Sequence, residues 1–404
     1  QKTLINIKYN SFEAALRHAP KMVAANATSV ETVDSTVLNL ARTDIVWHSV
    51  SELIEDVPGQ TLLGLNMVEY NSNDMDEMRE RISALQAELD DDISTHRGGV
   101  IGYQITSDVN DIQKIYAMRK KSVGLLGKTD GTKKPIAFAE DTAVPPENLA
   151  DFIMEFRALL DSHQLDYGMF GHVDAGVLHV RPALDMNDPQ QEVLLKTISD
   201  QVVALVAKYG GLMWGEHGKG YRSEYAPAFF GTELYAELRK IKAVFDPLNK
   251  MNPGKICTPI DSDAPLVQVT DTKRGSYDRT IPIVYKETFA PAMSCNGNGL
   301  CFNYDTTSPM CPSSKITSDR RHSPKGRAGM IREWLRLLAQ QGVKVDRLES
   351  QQFASSWWSR IINTNSAVSS KDFSHEVFAV MDECLACKSC SAQCPVGVDV
   401  PDFT

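Results

Sequence analysis

The segment GHVDAGVLHV, residues 171–180, places a histidine on each side of a predicted turn at Ala175-Gly176. Side chains alternate between the two faces of a strand, so two histidines seven residues apart share no face of one straight strand. A tight reversal at the turn would instead set His172 opposite His179, with Cβ atoms roughly 5 Å apart. The segment therefore predicts a β-hairpin in which both imidazoles reach one ion or ligand.

The sequence around this hairpin alternates between strand-like and helix-like stretches. Strands are predicted at 3–8, 61–70, 98–106 and 135–145. Helices are predicted at 11–26, after a serine cap, at 75–89, at 146–163, and at 188–211, which ends in Gly-Gly. This rhythm predicts an α+β domain of the ferredoxin-like kind, with antiparallel sheet and helices packed on one face.

Length and charge limit the classes of protein to consider. A chain of 404 residues is too long to form a single ordinary hydrophobic core, so more than one domain is expected. The net charge of −10 argues against a nucleic-acid partner. No apolar run approaches the roughly eighteen residues of a transmembrane segment, and no signal peptide is recognisable, so we expect a cytoplasmic protein. The chain begins at Gln1 without a start Met and ends at Thr404, so we expect a piece of a longer protein.

The periodicity of the sequence changes in its last third. Residues 260–290 are polar and lack periodicity, which predicts a linker. From 291 onward the strand patterns disappear, and a helix at 327–342 is followed by short helices and cysteine loops. We therefore predict an α+β domain over 1–259 and a mainly α-helical domain over 291–404.

Seven of the eight cysteines lie in the predicted helical domain. The last four follow the spacing C-x2-C-x2-C-x3-C-P, which is typical of iron–sulfur ligation. They are Cys384, Cys387, Cys390 and Cys394. A structural zinc site is the alternative, but such sites seldom have three cysteines followed by x3-Cys-Pro. The spacing predicts a [4Fe–4S] cluster in a reducing compartment.

A stretched version of the same pattern comes earlier in the chain. It consists of Cys295, Cys301 and Cys311, and Asn298 stands where a further cysteine would be. If the trailing cysteines are exchanged, as in two-cluster ferredoxins, Cys311 joins the first three cysteines of the later group. The other two would then share a site with Cys394, one thiolate short of four. Three possibilities stay open for this second site: a three-iron cluster, a cluster with a fourth ligand other than cysteine, or no cluster.

A second concentration of reactive side chains lies in GGLMWGEHGKGYRSEY, residues 210–225. Glu216 stands between glycines just after the cap of the long predicted helix, where backbone approaches a ligand closely. With His172 and His179 it makes a two-histidine, one-carboxylate set suited to zinc or manganese, with positions left for substrate. The alternative is that these histidines are hydrogen-bonded core residues without a ligand. Their concentration in two glycine-rich loops favours the metal site.

Two further residues fit such a site. His217 would be available as an acid or base near neutral pH. Arg181 lies two residues beyond His179, on the same strand face, where its guanidinium would bind a carboxylate through two hydrogen bonds.

Four segments together resemble the C-terminal domain of FAD-linked oxidases, a family that includes D-lactate, D-2-hydroxyglutarate and glycolate dehydrogenases. They are GHVDAGVLHV, EDTAVPPENL (140–149), GGLMWGEHGKG (210–220) and FDPLNKMNPGK (245–255). The resemblance covers residues 1–259. It implies that the metal on His172, His179 and Glu216 chelates the hydroxyl and carboxylate of a 2-hydroxyacid, and that His217 takes the hydroxyl proton while hydride leaves for FAD. It also places Arg119, in YAMRKKSVG, at a substrate-carboxylate position.

The sequence departs from the family pattern in ways that bear on the substrate. Ala175 and Val177 replace Gly and Asn of the frequent motif GHxGDGNxH, and Arg181 stands where some relatives carry Asn. The lysine that some relatives place before the VP motif is absent, with Ala139 or Glu140 there instead. These changes leave the implied metal set intact and the identity of the 2-hydroxyacid open.

Residues 291–404 are similar to the ferredoxin-type module of bacterial long-chain members, of the D-2-hydroxyglutarate dehydrogenase type. The resemblance implies that electrons pass from flavin to an iron–sulfur cluster and on to a downstream acceptor. Whether that acceptor brings the protein to a membrane surface stays open. No segment resembles the glycine-rich loop of the family's FAD-binding domain, so we expect this chain alone to be inactive. The alternatives are an electron-transfer or scaffold subunit without substrate chemistry, and a zinc-dependent hydrolase, against which the cysteine run argues.

Overall fold

The computed structural model describes residues 1–127, 131–217, 221–342 and 374–403, and it falls into two units, Gln1–Asp271 and Thr272–Thr404. The end of the quoted segment GGLMWGEHGKG, residues 218–220, lies outside the described residues. In the part of the chain that is described, no helix is long and apolar enough to cross a membrane.

One eight-stranded sheet organises the first unit. Its strands run in the order β4-β1-β3-β2-β7-β8-β5, and β6 pairs with β8. Every pairing among these strands is antiparallel, which confirms the predicted antiparallel sheet. The strands are β1 (Lys2–Tyr9), β2 (Ser29–Asp34), β3 (Gly64–Asn71), β4 (Val100–Thr106), β5 (Lys134–Pro135), β6 (Thr142–Ala143), β7 (Tyr167–His172) and β8 (Val177–Leu184).

The helices of the first unit connect these strands. α1 begins where Ser11 accepts a hydrogen bond from the backbone N–H of Ala14 at 3.0 Å, so the predicted serine cap is confirmed. The helices are α1 (Phe12–Ala24), α2 (Ser35–Arg42), α3 (Trp47–Val50), α4 (Met75–Ser94), α5 (Val109–Leu126), α6 (Leu149–Ser162), α7 (Pro189–Lys208) and α8 (Ala226–Phe245).

Helices cover both faces of the sheet, so the prediction of helices on one face is wrong. Ile5 and Ile7 of β1 lie in a core with residues of α1, α4, α6 and α7, whereas Leu4 lies in a second core with α2, α3 and α5. The second face of the sheet carries the polar residues Asn6 and Lys8. Both are buried, and their side chains donate hydrogen bonds to backbone carbonyls, at 3.2 Å for Asn6 and 2.5 Å for Lys8.

The turn between β7 and β8 differs from the predicted two-residue hairpin. Residues 173–176 form the connection, so His172 pairs with Val177, and His179 pairs with Phe170. The predicted direct opposition of the two histidines is therefore wrong. They are diagonal neighbours on one face of the sheet, and their ring centroids lie 5.8 Å apart.

Glycine is required at Gly176 for two reasons. Its φ of +68° lies in the left-handed region, which other L-residues enter at a cost. In addition, a Cβ atom there would lie 1.8 Å from the carbonyl oxygen of Val144. This close approach fixes the turn beside the loop that precedes α6.

The second unit consists of short helices packed around α13. Residues 260–290, predicted as a polar linker, contain two short helices from Arg274 onward, because Tyr285 and the nearby Ile281 pack into this unit's core. The helices are α9 (Arg274–Asp278), α10 (Ile283–Thr288), α11 (Ala290–Met293), α12 (Pro312–Thr317), α13 (Pro324–Gln340), α14 (Ser374–Asp382) and α15 (Ser389–Gln393).

Candidate functional site

The structure brings His172, His179 and Glu216 together. Nε2 of His172 lies 3.2 Å from Oε1 of Glu216, and Nε2 of His179 lies 2.9 Å from the same oxygen. The two imidazole rings are nearly perpendicular, with an interplanar angle of 87°. Two imidazole nitrogens and one carboxylate oxygen that converge in this way are the donor types that zinc and manganese take. The three residues predicted as metal ligands therefore meet at one point.

Glu31 on β2 orients one of these histidines. Its Oε1 lies 2.8 Å from Nδ1 of His172, and its Oε2 accepts a hydrogen bond from Nε of Arg119 at 2.8 Å. The contact follows from the sheet register, which pairs Glu31 directly with His172. Because Nδ1 faces Glu31, Nε2 is the nitrogen that faces Glu216. A carboxylate on the far nitrogen of a metal-binding histidine fixes its tautomer and ring orientation.

The pKa values of the two histidines are shifted in opposite directions. The hydrogen bond to Glu31 is the largest effect on His172 and raises its pKa. Burial is the largest effect on His179 and, with the positive charge of Arg119 and other neighbours, lowers its pKa to about 3. His179 is therefore neutral near pH 7, and the neutral imidazole is the form that binds metals.

Asp141 holds the loop that carries Glu216. Its Oδ1 accepts a hydrogen bond from the backbone N–H of Glu216 at 3.0 Å, and its Oδ2 accepts one from the backbone N–H of His217 at 3.2 Å. Asp141 is buried and has a φ of +66°. Ligand atoms of Asp141, His179, Glu216 and His217 also lie within 4.8 Å of one another, as a second, overlapping donor set. We assign Asp141 to the loop because both of its oxygens already accept backbone hydrogen bonds.

His217 lies beside the metal-type donors with one nitrogen turned to a carboxylate. Its Nδ1 is 3.4 Å from Oδ1 of Asp141, and its ring stacks on His179 with centroids 5.3 Å apart. The side chain is 58% exposed, so it is reachable from solvent. The buried carboxylate of Asp141 faces Nδ1, so Nε2 is the other nitrogen, turned away from this pair. A general base that is oriented by a carboxylate has this arrangement.

The two arginines predicted to bind substrate carboxylates are each paired with a glutamate. Arg119 bonds to Glu31 and stacks over the ring of Phe170, with its guanidinium carbon 4.8 Å from the centroid. Nε of Arg181 lies 2.7 Å from Oε2 of Glu140. Their role in substrate binding stays a prediction.

Sequence reasoning missed several residues of this site. Glu31 gave no local signal, because only the strand pairing brings it to His172. Asp141 had a signal, since it lies within the segment EDTAVPPENL. Arg222 is also part of the site: it is buried, donates a hydrogen bond to the backbone oxygen of Glu140, and lies 4.0 Å from Asp141. Burial lowers the pKa of Arg222 to about 10.

A cavity in the second unit is lined by four cysteines. They are Cys311, Cys384, Cys387 and Cys390. The backbone around the cavity is strained, because Cys311, Ala386 and Lys388 have φ values of +37°, +48° and +57°. Such conformations of residues other than glycine cost of order 1–3 kcal/mol each and cluster at ligand sites.

Arg327 on α13 forms part of the wall of this four-cysteine cavity. It is 1% exposed, and its guanidinium donates to Sγ of Cys311 at 3.7 Å and to the backbone oxygen of Val380 at 2.9 Å. Within the described ranges, no carboxylate forms an ion pair with it. A buried cation in this position is stabilised by a neighbouring anion, which thiolates and a thiolate-bound cluster would supply.

A second cavity is lined by the three remaining clustered cysteines. They are Cys295, Cys301 and Cys394, and Asn298 and Lys325 line the same cavity. Burial and, to a lesser extent, the neighbouring thiols of Cys295 and Cys394 raise the pKa of Cys301. The two cavities divide the cysteines as the exchange of trailing cysteines predicts, and ligation itself stays a prediction.

The candidate site thus combines two histidines of neighbouring antiparallel strands with a glutamate and a histidine of a loop. Residues 1–256 match the family of FAD linked oxidases, C-terminal domain. The chain belongs to this family.

Relatives are similar to the chain over its whole length. It is 63% identical over 408 residues to a D-2-hydroxyglutarate dehydrogenase of Escherichia coli (strain K12), covering 100% of this chain and 40% of the relative. It is 56% identical over 406 residues to a D-2-hydroxyglutarate dehydrogenase of Haemophilus influenzae, again covering 100% of this chain and 40% of the relative. A D-lactate dehydrogenase of Anaerostipes hadrus is 31% identical over 119 residues, 29% of this chain and 25% of the relative. The chain thus spans 40% of the length of its D-2-hydroxyglutarate dehydrogenase relatives.

Proposed function

We propose that this chain forms part of an FAD-dependent D-2-hydroxyacid dehydrogenase of the D-2-hydroxyglutarate or D-lactate type. The observation that carries the proposal is the convergence of His172 and His179 on one oxygen of Glu216. The similarity of the whole chain to D-2-hydroxyglutarate dehydrogenases favours that substrate over D-lactate.

His172, His179 and Glu216 would hold a divalent zinc or manganese ion. The donor set fits such an ion, because His179 is neutral near pH 7 and Glu31 turns Nε2 of His172 toward Glu216. The bound metal would supply Lewis-acid chemistry, which lowers the pKa of a coordinated hydroxyl group. Three protein ligands leave coordination positions for the hydroxyl and carboxylate oxygens of a 2-hydroxyacid.

His217 would take the hydroxyl proton of the substrate at Nε2. Its Nδ1 faces the buried carboxylate of Asp141 at 3.4 Å, and that carboxylate would stabilise the imidazolium that forms. FAD, bound largely by residues outside this chain, would supply the hydride acceptor.

Arg119 and Arg181 would bind carboxylates of the substrate. Each has Nε close to a glutamate oxygen, at 2.8 Å for Arg119 and 2.7 Å for Arg181. A two-carboxylate substrate such as D-2-hydroxyglutarate would use one arginine for the carboxylate that the metal does not bind.

The four-cysteine cavity would hold a [4Fe–4S] cluster on Cys311, Cys384, Cys387 and Cys390. Three observations support this: the C-x2-C-x2-C spacing, the strained backbone around the cavity, and the buried guanidinium of Arg327 in its wall. Structural zinc sites seldom have three cysteines at this spacing followed by x3-Cys-Pro. The cluster would accept electrons from the flavin and pass them to a downstream acceptor.

The proposal is tested with Glu216→Ala and His217→Ala in the full-length protein. We expect both variants to lose oxidation of D-2-hydroxyglutarate and D-lactate, while the visible absorbance of the cluster is retained. Only Glu216→Ala should also lose the divalent metal. His163→Ala is the matched control, because this half-exposed histidine contacts Gln201 at 3.2 Å and lies outside the site.

Two results would contradict the proposal. Undiminished turnover in both variants would remove the assigned metal ligand and base. Iron and sulfide without zinc or manganese, together with no binding of 2-hydroxyacids, would instead favour an electron-transfer subunit without substrate chemistry.

A further inference from the structure

The second cavity of the cysteine-bearing unit is built like a cluster site that lacks one protein ligand. Cys295, Cys301 and Cys394 line it, and Met310 and Val398 supply apolar walls that are almost completely buried. We call this the three-thiolate cavity. It is distinct from the four-cysteine cavity, with which it shares Pro324 as a lining residue.

A cation lies beside the three-thiolate cavity. Lys325 lines it, and its Nζ donates a hydrogen bond to the backbone oxygen of Gly297 at 3.1 Å while lying 5.4 Å from the ring centroid of Phe302. Thiolates on an iron–sulfur cluster carry negative charge, so a fixed ammonium group at the wall favours the bound, deprotonated state. The same arrangement, with Arg327, borders the four-cysteine cavity.

Asn298 stands where a fourth cysteine would complete the set, but its carboxamide is already engaged. Its Nδ2 donates to Oδ1 of Asn296 at 2.7 Å, and its Oδ1 accepts the backbone N–H of Leu300 at 2.9 Å. The flanking Gly297 and Gly299 have φ values of +80° and +79°, so the loop turns tightly around this side chain. Asn298 therefore shapes the wall of the cavity with its polar atoms committed to the loop.

We propose that the three-thiolate cavity binds a second iron–sulfur cluster through Cys295, Cys301 and Cys394, with one iron that no cysteine holds. This iron is exchangeable. One-electron oxidation of a [4Fe–4S]2+ cluster releases it as Fe2+ and leaves [3Fe–4S]+, so the charge of the two products and the electron balances that of the starting cluster. The electron passes to the added oxidant.

The inference goes beyond the proposed function, which uses the four-cysteine cavity alone, and it rests on that proposal only in the identity of the cofactor. The test uses the full chain, reconstituted anaerobically with Fe2+ and sulfide and then oxidised with ferricyanide. Electron paramagnetic resonance and iron analysis are the readouts. We expect the wild type to give the signal of a [3Fe–4S]+ cluster and to release Fe2+.

Four variants locate the signal. Asn298→Cys supplies the missing thiolate, so we expect loss of the oxidation signal with no loss of total iron before oxidation. Cys301→Ser should lose the signal and the iron of the second cluster, and Cys387→Ser should retain the signal. Met310→Leu, which removes a thioether from the wall and keeps its apolar character, should behave like the wild type.

Three results would overturn the inference. They are absence of the [3Fe–4S]+ signal in the wild type, a signal that survives in Cys301→Ser but disappears in Cys387→Ser, and a signal unchanged by Asn298→Cys. If any of these results is found while iron is bound at the four-cysteine cavity, this inference fails and the proposed function still stands. Absence of iron and sulfide from the wild type altogether contradicts both.

Discussion

Glu31 offers a sharp test of how the metal-type site is oriented. In Glu31→Gln an amide replaces the carboxylate that lies 2.8 Å from Nδ1 of His172 and 2.8 Å from Nε of Arg119. The amide oxygen still accepts a hydrogen bond, but the charge is lost and Arg119 is left without its ionic partner. Loss of such a partner of a metal-binding histidine typically lowers metal affinity about 10–100-fold. This corresponds to about 1.4–2.7 kcal/mol of binding free energy.

The assay is a titration of zinc into the chain against a chelator of known affinity, with the free energy of unfolding measured in parallel. The matched control is Glu13→Gln, which removes a glutamate paired with an arginine at the same 2.8 Å distance, on the exposed surface of α1. Exposed pairs contribute about 0–1 kcal/mol to stability, and this one lies in no metal-type donor set. An affinity for zinc in Glu31→Gln equal to that of the wild type or of the control would refute the orienting role of Glu31.

Three further predictions concern other parts of the chain. Asp141→Asn should lower kcat by about 10²–10⁴-fold, because the charge behind Nδ1 of the base is lost and one backbone N–H of the loop loses its acceptor. Steady-state kinetics of the full-length protein check this, and an unchanged kcat would contradict it. Gly176→Ala should reduce the free energy of unfolding in urea by at least about 2 kcal/mol more than Gly210→Ala. Gly210 has a similar φ of +65°, but no atom lies within 4 Å of where its Cβ would be. Equal losses in the two variants would contradict the close approach of residue 176 to Val144. Cys387→Ser should lose the visible absorbance of the four-cysteine cluster, whereas Cys257→Ser, in the first unit, should retain it.

The sequence predicted the parts of the fold that depend on local signals. The cap at Ser11, the long helix that begins at Pro189 and the antiparallel strands are all present. The second covered face of the sheet was missed because buried Asn6 and Lys8 bond to distant backbone carbonyls, and such pairing leaves no trace in the local pattern.

The candidate site was predicted in its composition but not in its geometry. The histidine pair was correctly expected on one face, although a longer turn shifts the register and makes the two residues diagonal neighbours. Glu31 and Asp141 reach the site only through tertiary structure, at 141 and 75 positions from the residues that they contact, His172 and Glu216. No periodicity or local spacing records contacts of that range.

The central claim is that His172, His179 and Glu216 hold a divalent metal required for oxidation of a D-2-hydroxyacid. The most direct test removes that metal from the full-length protein with a chelator and measures oxidation of D-2-hydroxyglutarate before and after zinc or manganese is restored. We predict loss of turnover on removal, recovery on restoration in the wild type, and no recovery in Glu216→Gln. Full turnover by the metal-free protein would contradict the claim.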